Sequence, residues 1–331
     1  MTNCRFQNLD FLHLAVFFLW FSSCFCESYN TTDDQGKSVL TWTDPNDTEI
    51  VFRIVNGIPA QLGDIPYQVA FRANQKDNNY YTFCGGSIIT ESKLISAAHC
   101  FHSTQMLGCC KQGRSRHKYL AKYFAVAGTL LNQDSYQRKD SERHGQWRKL
   151  SAAFYPKQFV FPNYDIAVVF LTTPFIFNAY VAPIPVASAR KEYTGTCLVS
   201  GYGRLSKTQH SLILNKADLK IISSRECNRI HHKEMKHFIC TSSLVSDIHK
   251  GDSGGPLVCK NTGDPQEGSL GILVGVSSGT DVLKKHGSFF TRVSSYRTFI
   301  NSKKSSSRFL AVNDIFDPPN SASTEIRIIQ Q

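Results

Sequence analysis

Glycine and proline are scarce, at 21 and 12 in 331 residues, which excludes a collagen-like or low-complexity protein. Nothing repeats at the period of a solenoid or propeller, so the chain is not a stack of equivalent units. Beyond the first 30 residues it has no apolar run approaching the roughly 20 residues a membrane-spanning helix needs. Acids are in the minority, 26 Asp and Glu against 37 Lys and Arg, for a formal net charge of +11. Hydrophobic residues make up 41%, enough to bury a core in one large domain or two small ones.

The amino terminus predicts export. A weakly basic start with Arg5 leads into an apolar run from Phe11 to Phe21, followed by the small residues Ser22, Ser23 and Cys24 and by the polar Glu27. This is the layout of a signal peptide cut near Cys26, so residues 1–26 read as a signal and the product as secreted, extracellular and without a membrane anchor. Secretion makes disulfides the default use of cysteine, ahead of zinc or redox motifs. With Cys4, Cys24 and Cys26 in the signal, eight remain of the 11, an even number whose connectivity stays open at this point.

Residues 27–53 are polar, rich in Asp and Thr, and carry glycosylation sequons at Asn30 and Asn46, which marks a surface segment. From Ile54 the chain changes to short apolar runs separated by Gly, Pro, Asn and Asp: Gly85 to Ile89, Phe124 to Leu131, Ile166 to Leu171 and Gly271 to Val276. That spacing predicts an all-β barrel or sandwich. A single helix is expected near the end, where Val293, Tyr296, Phe299 and Ile300 recur at helical spacing. Residues 305–331 read as a mobile tail. Basic clusters at Lys111 to Lys118 and Arg138 to Lys149 include acids and lack an aromatic ladder for bases, so they read as solvated loops and imply no nucleic-acid partner.

The residues with chemical potential are Ser253 in Gly251-Asp252-Ser253-Gly254-Gly255-Pro256, His99 in Ser96-Ala97-Ala98-His99-Cys100, and Asp165 in Asn163-Tyr164-Asp165-Ile166-Ala167. A serine hydroxyl attacks well only when a base takes its proton, and histidine serves near neutral pH when a carboxylate fixes its tautomer. Glycine beside the serine leaves backbone N–H groups accessible for an oxyanion, the candidate donors being those of Gly251 and Ser253.

With these motifs, Arg53-Ile54-Val55-Asn56-Gly57, Cys84-Gly85-Gly86-Ser87-Ile88 and Ser200-Gly201-Tyr202-Gly203, the chain resembles the chymotrypsin-like serine proteases of the trypsin branch, from Arg53 to about Ile300. The resemblance implies a domain over residues 54–304 made of two packed six-stranded antiparallel β-barrels with a C-terminal helix, His99 and Asp165 coming from the first barrel and Ser253 from the second. It implies the bridges Cys84–Cys100, Cys197–Cys259 and Cys227–Cys240, and offers no partner for Cys109 or Cys110. It makes residues 27–53 a propeptide. Cleavage after Arg53 by an activating protease would free the Ile54 ammonium to pair with Asp252. The expected partners are protein or peptide substrates and serine protease inhibitors.

Several positions depart from the family pattern. Asp247, six residues before Ser253, matches the acid that binds a substrate Arg or Lys. His249 stands where a cysteine is usual, and Thr280 and its neighbours supply no partner for one. Val274-Gly275-Val276 is expected to replace Ser-Trp-Gly, removing a hydroxyl that holds the acid of the triad and an aromatic platform, while Val276 and Ser288 (or Gly287) would narrow the specificity slot. Thr129 replaces the first acidic ligand of a calcium loop, so no metal or cofactor is expected. These departures keep a second reading open, a weak or inactive homologue acting as a binding or regulatory module.

Overall fold

The computed structural model describes residues 57–76, 79–102, 122–132, 143–203, 211–242, 251–280 and 287–303, with short stretches at 31–32, 38–39, 53–55, 120, 134–135, 247–249 and 325–329. The chain divides into a unit over residues 1–47, in which Thr31–Thr32 pairs with Ser38–Val39, and a larger unit over residues 48–331. The signal segment, the sequon asparagines Asn30 and Asn46, Cys109 and Cys110 lie outside the described residues.

The larger unit contains two closed six-stranded antiparallel barrels. The first is built from β1 (Gln68–Lys76), β2 (Asn79–Thr90), β3 (Lys93–Ser96), β4 (Tyr123–Ala127), β5 (Gln146–Pro156) and β6 (Ala167–Leu171). The second comprises β7 (Thr196–Gly201), β8 (Asn215–Ile222), β9 (Phe238–Thr241), β10 (Pro256–Cys259), β11 (Ile272–Thr280) and β12 (Ser288–Arg292). Neighbours run β6-β3-β2-β1-β4-β5 and close through β5–β6; in the second they run β7-β10-β11-β12-β9-β8 and close through β7–β8. Taken cyclically, both follow one order of strands, so a single topology is used twice. Closure removes the exposed sheet edges that invite aggregation.

Burial explains the strand pattern. In β8, Ala217, Leu219 and Ile221 point inward while Lys216, Asp218 and Lys220 point out, the alternation of a sheet with one wet face. β11 has no such alternation because both of its faces are covered. Ile272 and Val274 enter the core of the second barrel, whereas Leu273 and Val276 join the core that includes the first barrel. Packing is close enough that a side chain at Gly275 would press on Phe290 and Leu257.

Helices are few. α1 (His99–His102) is one turn; α2 (Ser224–His231) is capped by Ser223, whose side chain accepts from the Glu226 N–H at 3.2 Å. The expected C-terminal helix is present, beginning as a 3-10 turn over Val293–Tyr296 and continuing as α3 (Arg297–Ser302). Lys93 of β3 donates to the Ile300 and Lys303 carbonyls, satisfying groups a helix end leaves open and tying α3 to the first barrel. Among the described residues no helix is long and apolar enough to cross a membrane.

Part of the stretch read as a tail is described. Within residues 305–331, Glu325–Ile329 forms a strand antiparallel to Ala152–Pro156 of β5, beyond the point where β4 stops pairing at Lys149. Five more residues of backbone thus find partners on an edge β4 leaves open; the rest of that stretch is outside the described residues.

Leu94 is fully buried in the first barrel. Leu94→Ala is expected to lower folding stability by about 3 kcal/mol, read from the urea midpoint, because the lost transfer energy is joined by a cavity.

Candidate functional site

Asp165 sits just before β6, at the end of a tight turn in which Val160 and Asn163 bridge and Tyr164 adopts φ 60°. Its side chain is completely buried. A buried carboxylate is tolerable only when hydrogen-bonded, and this one is held from both barrels. From the first, the His99 backbone N–H donates to Oδ1 at 2.9 Å and the His99 ring Nδ1 lies 2.8 Å from Oδ2. From the second, Ser278 Oγ donates to Oδ2 at 2.6 Å, and Thr291 Oγ1 donates to the Asp165 main-chain carbonyl at 2.7 Å.

His99 opens α1 after the fully buried Ala97 and Ala98, which fix where the turn begins. With Nδ1 engaged by Asp165, proton exchange with an incoming group falls to Nε2, and the side chain keeps 23% exposure for that purpose. The ring of Phe161 stands edge-on to His99, centroids 5.7 Å apart. Its neighbour His102 contacts Tyr155 Oη at 3.3 Å, and burial lowers its pKa, which keeps that imidazole neutral.

Ser253 is 6% exposed in the turn that leads into β10. Its carbonyl accepts from the Gly85 N–H at 2.7 Å and lies 3.8 Å from Cys100 Sγ, a contact rather than a hydrogen bond because that sulfur is bridged to Cys84. Ser253 is therefore brought against the residue that follows His99. The turn is closed by Gly255 N–H donating to the Asp252 carbonyl at 2.9 Å and Gly254 N–H donating to the Ser277 carbonyl at 2.8 Å. Gly251 has φ 103°, a backbone region that residues with a Cβ avoid.

Asp252 is also fully buried, and accepts from the Gly203 N–H at 2.8 Å. Side chains at Gly201 or Gly203 would fall on its carboxylate, so the Ser200-Gly201-Tyr202-Gly203 motif is the space this acid requires. Tyr202 between them donates to the Thr129 carbonyl at 2.7 Å, and burial pushes its phenol up to about 12, so it remains a donor.

The remaining expectations divide. Arg53–Val55 is a short strand whose backbone pairs with Asp247–His249, Val55 opposite Asp247 and Arg53 opposite His249. The three bridges implied by the resemblance are formed. Ser288 is buried at the start of β12 with its Oγ 3.4 Å from the Ile248 N–H, one residue from Asp247.

The reading of Val274-Gly275-Val276 is overturned. The hydroxyl that holds Asp165 is present on Ser278, four residues later, and Val276 is a core residue paired with Pro256 and Thr291. Gly279 follows Ser278 with no side chain; one there would meet Phe289 and Phe161, whose rings occupy that space. The residue facing Ser288 across the sheet is Thr280, itself 2% exposed. The signal for this was in the sequence, since Ser277 and Ser278 are the serines of β11.

Comparison with known proteins gives the family. The Trypsin family model matches residues 54–300. Among similar proteins, Transmembrane protease serine 9 of Rattus norvegicus is 27% identical over 63% of this chain and 18% of its own length. Trypsin-3 of Salmo salar is 26% identical over 77% of the chain and 94% of its own length. Trypsin iota of Drosophila melanogaster is 30% identical over 67% and 80%. The chain thus spans less than a fifth of the first of these relatives. It belongs to the trypsin family of chymotrypsin-like serine proteases.

Ser278→Ala would leave a buried carboxylate short of a donor. The expected loss is about 2 kcal/mol of folding stability, measured by chemical denaturation; a change under a few tenths would show that the contact contributes nothing.

Proposed function

We propose that the protein is a secreted serine endopeptidase, made as a zymogen and activated by cleavage after Arg53. The observation that carries this reading is the pairing of His99 with the buried Asp165 through both backbone and ring. In the reaction, His99 takes the Ser253 proton as Ser253 Oγ attacks the scissile carbonyl, then passes it to the leaving amine. Asp165 holds the tautomer and balances the imidazolium; the N–H groups of Gly251 and Ser253 stabilise the oxyanion, and water attacks the acyl-enzyme in the reverse sequence. None of these steps calls on a metal or cofactor.

Activation follows from charge burial. A cut after Arg53 creates an ammonium at Ile54, and the fully buried Asp252 is an acid for which a cation is the natural counterpart. The pairing of Arg53–Val55 with Asp247–His249 supports this, since it couples the new terminus to the strand that carries the specificity acid. Residues 27–53 would be the propeptide and contain no cysteine to retain it. An activating protease and serine protease inhibitors are the partners this scheme requires besides protein substrates.

Asp247 favours cleavage after Arg or Lys. Thr280 and Ser288, buried opposite one another, act against it by narrowing the approach to Asp247. A carboxylate buried without a cation is costly, whereas two small hydroxyl side chains only narrow a slot, which favours basic specificity at reduced efficiency.

Three outcomes test this. Protein cut after Arg53 hydrolyses short reporter peptides ending in Arg or Lys, and Ser253→Ala lowers that rate by at least about 10⁴-fold. Arg53→Gln blocks the gain of activity on treatment with a trypsin-like activator. Replacing Thr280 and Ser288 together by glycine raises kcat/KM for Arg over Ala peptides by about tenfold or more. Silence on every peptide and toward a covalent serine label would replace this reading with a noncatalytic homologue.

A further inference from the structure

On the second barrel, away from His99 and Ser253, lies a cavity of about 10 Å³ lined by Tyr193, Ile221, Ser224, Cys227, Phe238 and Arg292 among others. It has room for one particle of about water size. Two of its lining side chains carry polar atoms with no hydrogen-bond partner: the Tyr193 hydroxyl and the Arg292 Nε. Tyr193 is 6% exposed and Arg292 only 2%.

The rest of the guanidinium is committed. Nη1 donates to the Lys191 carbonyl at 2.6 Å and Nη2 to the Phe238 carbonyl at 3.0 Å. Glu192 Oε1 is 3.7 Å from Nη2, on a side chain that is 57% exposed and that also accepts from Ser224 Oγ. A nearly buried cation is therefore faced by one distant, solvated carboxylate, and burial works against the charged form of Arg292. Burial also raises the pKa of Tyr193, so its O–H is a donor. α2 begins at the same cavity with Ser224, adding the positive end of a helix. The other charges that act on these groups are Arg190, which adds positive potential, and Asp264, which opposes it.

We propose that this cavity is a site for a single small monovalent anion of the halide class, held between the Arg292 Nε–H and the Tyr193 O–H. The occupant must accept two hydrogen bonds, offset a buried positive charge and fit where one water fits, and these three demands together exclude phosphate, sulfate and carboxylates. Glu192 at the rim competes for the same potential and keeps the affinity weak. Binding would couple the Lys191–Tyr193 segment, α2 and the end of β12, none of which takes part in peptide hydrolysis.

The test uses the full chain and chloride itself. At matched ionic strength, the melting midpoint in 0.2 M sodium chloride is expected to exceed that in sodium gluconate by about 3 °C, with chloride-35 resonance broadening that added bromide relieves. Tyr193→Phe, which keeps the ring, is expected to abolish both effects. Should that variant not fold, Glu192→Gln serves instead, an exposed change expected to increase the chloride effect severalfold. Equal midpoints in the two salts with no broadening would mean the cavity holds water only and would overturn the proposal. So would a chloride effect that persists undiminished in Tyr193→Phe, or one that Glu192→Gln leaves unchanged.

Discussion

The Asp165 carboxylate is the constraint on which the rest of the molecule turns. It comes from the first barrel, is wholly removed from water, and is satisfied by donors of both barrels: the His99 N–H and ring from one, Ser278 from the other. A buried charge that loses one donor retains the full cost of its desolvation. Docking of the two barrels and orientation of His99 are therefore one requirement. Thr291 repeats the lesson on the main chain of the same residue.

Around that contact the barrels meet through further buried polar pairs instead of through apolar surface alone. Ser200 Oγ donates to Gln68 Oε1 at 2.6 Å, Tyr202 to the Thr129 carbonyl, and Asn132 Nδ2 to the Tyr202 carbonyl at 3.1 Å. Each such pair is unforgiving of displacement, because a shifted donor leaves two groups unsatisfied in a region of low dielectric. β11 fits the same scheme, giving alternate side chains to the two cores before presenting Ser278 to Asp165. One strand thus sets the barrel spacing and delivers the hydroxyl.

Much of this was legible beforehand. The β-rich texture, the terminal helix and the His99, Asp165 and Ser253 motifs could be read because each rests on local chemistry: period-two burial, glycine-dependent turns, and the residue types that activating a serine hydroxyl needs. Gly201 and Gly203 were visible as a motif, while the Asp252 carboxylate that demands them lies 49 residues from Gly203 in sequence. The errors fell on residues whose role is set by distant partners. Val276 read as a slot residue from its place in the sequence alone, whereas the residue that faces Ser288 is set by pairing across the sheet and is Thr280. The strand Glu325–Ile329 escaped notice because its pairing depends on an open edge of β5 far upstream.

By itself the sequence determined composition, strand pattern and the inventory of reactive groups, since these follow from residue type and spacing alone. The tertiary structure decided which serine supports Asp165, that Val276 is core, that Thr280 faces Ser288, and that Arg292 and Tyr193 share a cavity. Those facts depend on closing two barrels and pressing them together, so that residues more than 100 positions apart come within hydrogen-bond distance, as Asp165 and Ser278 do.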